Sequence, residues 1–387
     1  MRSTFRAWLL LLACGACAGR ETVTAVVTTS TAQDGWAVNY PKQHKLFEVD
    51  GRLWLFYSDG VDAVVRTSSN ATAWSPPQVW WPAVNLGHRF SLAWDGTFFH
   101  VAMCTAQDDE DVLYRRATPL GDTLQWDGPA STALVVNTGH NAMYPKVLVD
   151  SGGHPWVGAM VYQGGFNTGP YDAVVVRSQT TDGTFAADQG FPFVLVDDAP
   201  DTYPDPMGVP LLDEKVYWLF NTGSGRAPVQ GRLFDGATPR APEEASGGSL
   251  TYGGYHAVGD GDDIHLVAGS GAVRYRKRDG STGTWSPERV LTPMASGHAA
   301  VTLLQDGEGV CVTWLNKTVG RVETATCPPR GPCGAPTMLA RAGPDGFASN
   351  LGINLNTLPR GEAWETASVF TLGEAAPFTI MVAGRQR

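Results

Sequence analysis

Residues 45–58 read KLFEVDGRLWLFYS: an apolar run, a tight turn at Asp50-Gly51, and a second apolar run. Asp-Gly between two apolar runs is a hairpin signal, because glycine takes the positive φ of the turn while the flanks pair as strands. The arrangement returns in GHRFSLAWDGTFFHVAM (87–103), KVLVDSGGHPWVGAMVY (146–162), VPLLDEKVYWLFN (209–221), AVGDGDDIHLVAG (257–269) and AVTLLQDGEGVCVTW (300–314). With Asp50, Asp95, Asp150, Asp213, Asp262 and Asp306 as markers, the spacings are 45, 55, 63, 49 and 44 residues.

Such a period suits one four-stranded blade of a β-propeller. Composition agrees, since 45 glycines and 26 prolines interrupt every stretch that could support a long helix. The expected fold is therefore all-β: one propeller domain over residues 36–387, with six four-stranded blades. TVTAVVTT (22–29) alternates well enough to be a strand that closes the last blade from the other terminus. ASVFTL (367–372) and FTIMVA (378–383) are two more strand-like runs, and they make seven blades the alternative.

Each hairpin is followed by a third strand and a turn, with an aromatic after it in most copies. Examples are AVVRTSSNATAWSPP (63–77), VLYRRATPLGDTLQW (112–126), AVVVRSQTTDGTF (173–185) and VRYRKRDGSTGTWSPE (273–288). These segments resemble degenerate Asp-box (BNR) repeats of the sialidase-like propellers. Arg278-Asp279-Gly280-Ser281-Thr282-Gly283-Thr284-Trp285 is the nearest copy, and Asn70 stands roughly where the first repeat would carry its Asp. The physical logic needs no family: Asp or Asn accepts backbone N–H groups in the turn, and the aromatic packs between blades. Trp74, Trp126 and Trp285 are accordingly expected in the core; Trp80 and Trp81, between blades, are freer. The resemblance implies a fold and leaves function open, because hydrolases, lyases, binding modules and scaffolds share it.

The N-terminus carries Arg2 and Arg6, a short apolar run from Ala7 to Leu12, and then Leu11-Leu12-Ala13-Cys14. The run is too short to span a bilayer and reads as a signal peptide over residues 1–13. Leu11-Leu12-Ala13-Cys14 resembles the lipobox of bacterial lipoproteins, which implies acylation of Cys14 and a lipid-anchored tether over 14–35. The implied location is the bacterial cell envelope, with Gly15 after the cysteine suggesting the outer membrane. Export permits disulfides. Cys327 and Cys333 could close a local loop, Cys311 is another partner for Cys327, and Cys104 reads as a buried thiol.

A net charge of −10, with only 28 Lys and Arg, lacks the basic footprint that a nucleic-acid partner requires. The histidines are more informative. His44, His88, His140, His256 and His298 all stand just upstream of a hairpin's first strand, which accounts for five of the eight in the chain. In a propeller those strands line the channel, so the residues before them converge on one mouth. Arg89, Tyr144, Lys146, Asp205 and Tyr255 fall in the same zone. Arg and Lys bind carboxylates, and neutral His or Tyr can relay protons, so this set suits an acidic glycan or another small anion. No cofactor is implied, although three imidazoles about an axis would also make a metal site.

Against a sialidase, Tyr40-Pro41-Lys42-Gln43-His44 lacks the early arginine of that family, and no arginine triad or Tyr–Glu pair can be assigned. The reading is thus a glycan-binding propeller with a His-lined funnel. The alternatives are a polysaccharide lyase or glycoside hydrolase using the same funnel, and an envelope scaffold that contacts another protein.

Overall fold

The computed structural model describes residues 21–104, 111–164, 169–187, 190–199, 203–222, 227–247, 254–269, 271–295, 299–342, 346–347 and 354–387. The signal segment, Cys14 and His298 lie outside the described residues. Each of the six sequence repeats forms the first two strands of one antiparallel sheet. The first sheet is Leu46–Val49, Arg52–Ser58, Ala63–Ser68 and Gln78–Trp81, paired in that order.

A seventh sheet brings the count to that of the seven-blade alternative rather than the six expected. It pairs Leu355–Thr357, Trp364–Leu372, Phe378–Gln386 and, as its outer strand, Thr22–Ser30. Thr22 opposes Arg385 and Ser30 opposes Phe378, so the two ends of the described chain close one sheet. Closure of this kind removes an exposed edge that would otherwise template aggregation.

The first strand of every sheet is innermost. In succession, Leu46–Val49, Leu355–Thr357, Ala299–Leu303, Tyr255–Asp260, Met207–Pro210, His140–Val149 and Phe90–Trp94 pack side by side around the channel. Second strands supply the packing between sheets: Trp54, Trp156, Trp218, Trp314 and Trp364 are fully buried, each on the second strand of a different sheet. Gly158 is small because a Cβ there would meet the Trp218 ring at 2.6 Å.

The other two second strands carry buried histidines, His100 and His265. His100 Nδ1 lies 2.6 Å from the Tyr114 hydroxyl and its Nε2 lies 2.8 Å from Asp95 Oδ2, while His265 Nδ1 lies 2.8 Å from the Tyr275 hydroxyl. These are structural bridges between second and third strands, far along the strands from the histidine cluster of the channel.

The turns follow their physical account. Asn70 Oδ1 accepts from the N–H groups of Thr72 and Ala73, and Asp279 Oδ1 accepts from those of Ser281 and Thr282. Trp74, Trp126 and Trp285 are half-buried against three of the core clusters, and Trp80 and Trp81 pack into the core with Phe56 and Phe90. Cys327 and Cys333 form a disulfide, and Cys104 and Cys311 are buried thiols. Among the described residues no helix is long and apolar enough to cross a membrane.

Candidate functional site

Between the outer strand Thr22–Ser30 and the inner strand Leu46–Val49, the chain turns into the channel. A single 3-10 turn, Pro41–Gln43, packs against the inner strands of five sheets. Gly87 admits the approach to it: a Cβ there would lie 2.3 Å from the Ala37 carbonyl oxygen, and its N–H donates to Trp36 O at 2.7 Å. Asn39, Gln43 and Lys45 are wholly buried and Lys42 nearly so, which makes this segment a polar plug. This segment thus occupies part of the channel that was expected to be a His-lined funnel.

Asp205 organises the plug. Lys42 Nζ lies 2.5 Å from its Oδ2 and Lys146 Nζ lies 3.0 Å from its Oδ1. Lys146 also donates to Tyr144 O at 3.0 Å, and the Tyr255 hydroxyl donates to Asp205 O at 2.5 Å. The Lys42 ammonium sits 4.4 Å from the centre of the Tyr255 ring. Lys45 Nζ donates to Phe90 O and lies 4.0 Å from the centre of that ring. Burial raises the Asp205 carboxyl, but Lys146 and Lys42 outweigh it and hold the group below its ordinary value. Burial likewise lowers Lys146 to about 8, against the opposing pull of Asp205.

Backbone strain accompanies this wiring. Asn39 (φ 31°), His44 (φ 37°) and Tyr144 (φ 53°) all occupy the left-handed region that non-glycine residues avoid. Such conformations cost on the order of 1 kcal/mol or more each and persist where the surroundings over-determine them. Here amides do so. Asn356 accepts from the Lys45 N–H at 2.8 Å and donates to Asn39 O and Tyr40 O, while Gln43 Nε2 donates to His88 O at 2.7 Å and to Pro145 O at 3.2 Å.

Of the sequence-predicted residues, His44, Lys146, Asp205, Tyr255 and His256 gather around Lys42. The His44 and His256 rings are 5.2 Å apart, and His256 Nδ1 accepts from the Val301 N–H at 3.0 Å. Burial pushes His44 down to about 4, helped by Lys45 and Lys146, and holds His256 well below its usual value. His88, Arg89 and Tyr144 lie on the side of the plug where the inner strands begin, the N-terminal mouth. His88 is buried, and burial, with Arg89, lowers it to about 3. The Asn39 amide lies 3.2 Å from its Nδ1, so the neutral ring keeps its proton on Nε2. Arg89 is only 8% exposed, whereas His140 is half-exposed.

Sequence reasoning missed the aromatic component of that mouth. Edge contacts run from Trp36 to His88 (5.6 Å), His88 to Tyr144 (5.2 Å), Tyr144 to Tyr203 (6.2 Å) and Tyr203 to Tyr171 (5.2 Å). Trp36 and Tyr203 are half-exposed, so the belt is wet at two points and buried between them. It also missed Lys42, which stands in a polar, turn-forming stretch that reads as an ordinary loop.

Among the described residues, two groups of side chains bring possible metal ligands together. Asp150, His154 and Glu214 converge, but the Arg177 guanidinium sits among them, with Nη2 at 3.2 Å from Asp150 Oδ2, 3.0 Å from His154 Nδ1 and 2.9 Å from Glu214 Oε2. Arg177 thereby fills the cationic position. Asp172, Asp197 and Asp198 form a second, more exposed acidic group. The second group lies near His140, which acts electrostatically on Asp172.

No protein-family model and no curated protein matches the chain. Solved structures do. A polysaccharide lyase, Uly1, is 9% identical with a TM-score of 0.53, over 93% of this chain and 91% of its own. A PL25 ulvan lyase is 9% identical with a TM-score of 0.57, over 95% and 96%. The WD40 domain of Toxoplasma gondii coronin is 8% identical with a TM-score of 0.53, over 95% and 87%. A lyase and a WD40 domain fit equally well, so the likeness identifies a propeller fold and nothing finer.

Proposed function

We propose that the protein is a glycan-binding propeller that takes an acidic polysaccharide at the N-terminal mouth of its channel. The observation that carries this reading is the aromatic belt from Trp36 through His88 and Tyr144 to Tyr203. Sugar rings present C–H faces that pack on aromatic rings, and the donors beside the belt suit hydroxyls and carboxylates. Of those donors Arg89 is 8% exposed, while His88 and Tyr144 lie buried behind the half-exposed Trp36 and Tyr203 rings.

The protonation states of His88 and Tyr144 favour binding over elimination. A lyase needs a base to remove the proton α to a uronate carboxylate. His88 has its proton on the wrong nitrogen for that role, and Tyr144 keeps its own. Among the described residues, the half-exposed Tyr203 phenol and His140 imidazole are the remaining candidates for such a base. The lipobox-like Leu11-Leu12-Ala13-Cys14 supports placement in the bacterial cell envelope, with Cys14 acylated and the outer membrane as the anchor. Degenerate Asp-box turns at Asn70 and Asp279 support kinship with the sialidase-like propellers.

The test is an array of uronate-bearing, sulfated and neutral glycans, read with the parent and with Trp36→Ala and Tyr203→Ala. The expected result is binding of acidic glycans by the parent and its loss in both variants, each still folded by circular dichroism, with a lowered thermal midpoint from the lost ring packing. Release of unsaturated uronates, followed by their ultraviolet absorbance, would move the assignment to a lyase. No binding by the parent would leave the envelope scaffold.

A further inference from the structure

A cavity of about 560 Å³ opens on the other side of the plug, where the inner strands end. Phe47, Trp94, Leu148, Val209, Val258 and Leu303 form the apolar part of its walls, and Glu48, Asp95, Arg360 and Glu362 the polar part. Its inner end is cationic, formed by Lys42, His44 and Lys146. Inner strands run from one mouth to the other, so the lysines lie deep while the Asp95-Gly96 turn, Leu212 and Gly261 form the rim.

The acids on the lining are already committed. Glu48 accepts from the N–H groups of Glu362, Ala363 and Trp364. Asp95 accepts from Thr97 and Phe98 and bridges to His100. Arg360 and Glu362 offset each other at the exposed rim. At the inner end one carboxylate, Asp205, serves two ammonium groups, and His44 Nδ1 is buried without a hydrogen-bond partner.

We infer that this cavity is a second binding site, for an amphipathic carboxylate whose head group is drawn to the inner end by the net positive charge of Lys42 and Lys146 over Asp205, which lie just beneath its surface, and whose apolar chain or ring lies against the apolar part of the walls. The anion supplies the negative charge that Asp205 alone does not. The volume falls within the range of small-molecule sites.

The site is independent of the glycan reading, and the experiment keeps the two apart. Binding of decanoate and of decanol, its neutral counterpart, is measured by calorimetry on the full chain. Decanoate should bind at least about tenfold more tightly than decanol, the signature of a charged head group. Lys146→Met should abolish that preference. Because this variant unpairs a buried carboxylate and can fail to fold, Leu212→Glu is the second probe. Leu212 is 53% exposed at the rim, so folding should be unaffected while a like charge weakens decanoate by about fivefold or more. Trp36→Ala should leave decanoate binding unchanged. Equal binding of decanoate and decanol, no binding of either, or decanoate binding that survives Leu212→Glu and is lost in Trp36→Ala would each overturn the assignment.

Discussion

Lys42 Nζ lies 2.5 Å from Asp205 Oδ2, and both side chains are closed off from solvent. This contact joins the segment before the first sheet to the segment before the fourth, across the channel. Removing one member of such a pair is far costlier than its net contribution, because the other charge is left buried and alone.

Asp205→Asn should therefore destabilise the protein by about 3–5 kcal/mol, since it strands two ammonium groups at once. The comparison is Asp235→Asn, which breaks the exposed pair with Arg240 and should cost under about 0.5 kcal/mol. Urea melts of both variants against the parent measure this. Equal small losses would mean that water reaches the Lys42 site.

Acid should weaken the fold through its histidines. Burial and neighbouring cations hold His88 at about 3 and His44 at about 4, against an ordinary 6.5. Below pH 6.5 the unfolded chain takes up these protons while the native state does not, so stability falls as the pH drops through that window. Each histidine contributes at most about 1.4 kcal/mol per pH unit. Urea midpoints between pH 7 and pH 4 should decline, and His44→Gln should flatten the decline. A level profile in the parent would contradict the buried neutral assignment.

Tyr114→Phe removes the hydroxyl that meets His100 Nδ1 and should cost about 1–3 kcal/mol, the cost of an unsatisfied buried polar atom. Thermal melts of this variant and of Tyr275→Phe should shift together, because His265 depends on Tyr275 in the same way.

Deleting 378–387 takes the strand that bridges Trp364–Leu372 to Thr22–Ser30. Cooperative unfolding should be lost, seen as aggregation or a broadened transition. A sharp transition near the parental midpoint would show that the other six sheets hold the ring without it.

Much of this fold was legible because its turns repeat. Asp50-Gly51 and Asp95-Gly96 mark hairpins that need no distant partner to be recognised. The seventh sheet was less visible, since its inner strand is only Leu355–Thr357 and its outer strand comes from the other end of the chain. Neither carries an Asp-Gly marker. Convergence of His44, His88 and His256 on the channel could be read from their places before inner strands. Their burial could not, because the plug that covers them is made by Asn39, Lys42 and Gln43, polar residues that read as an ordinary loop. Only tertiary contact turns such residues inward.

That plug has a consequence for the order in which the chain can mature. Lys45 depends on Asn356 and Glu48 on the backbone of 362–364, partners more than three hundred residues later. The first strand and the plug behind it are made early, yet neither is fully fastened until the last sheet has emerged. Other contacts of the same segment, Gln43 to His88 O and Pro145 O and Lys42 to Asp205, are to earlier parts of the chain. A chain halted before residue 355 would therefore have the plug's inner contacts and lack the bonds that fasten it to the clasp of the ring.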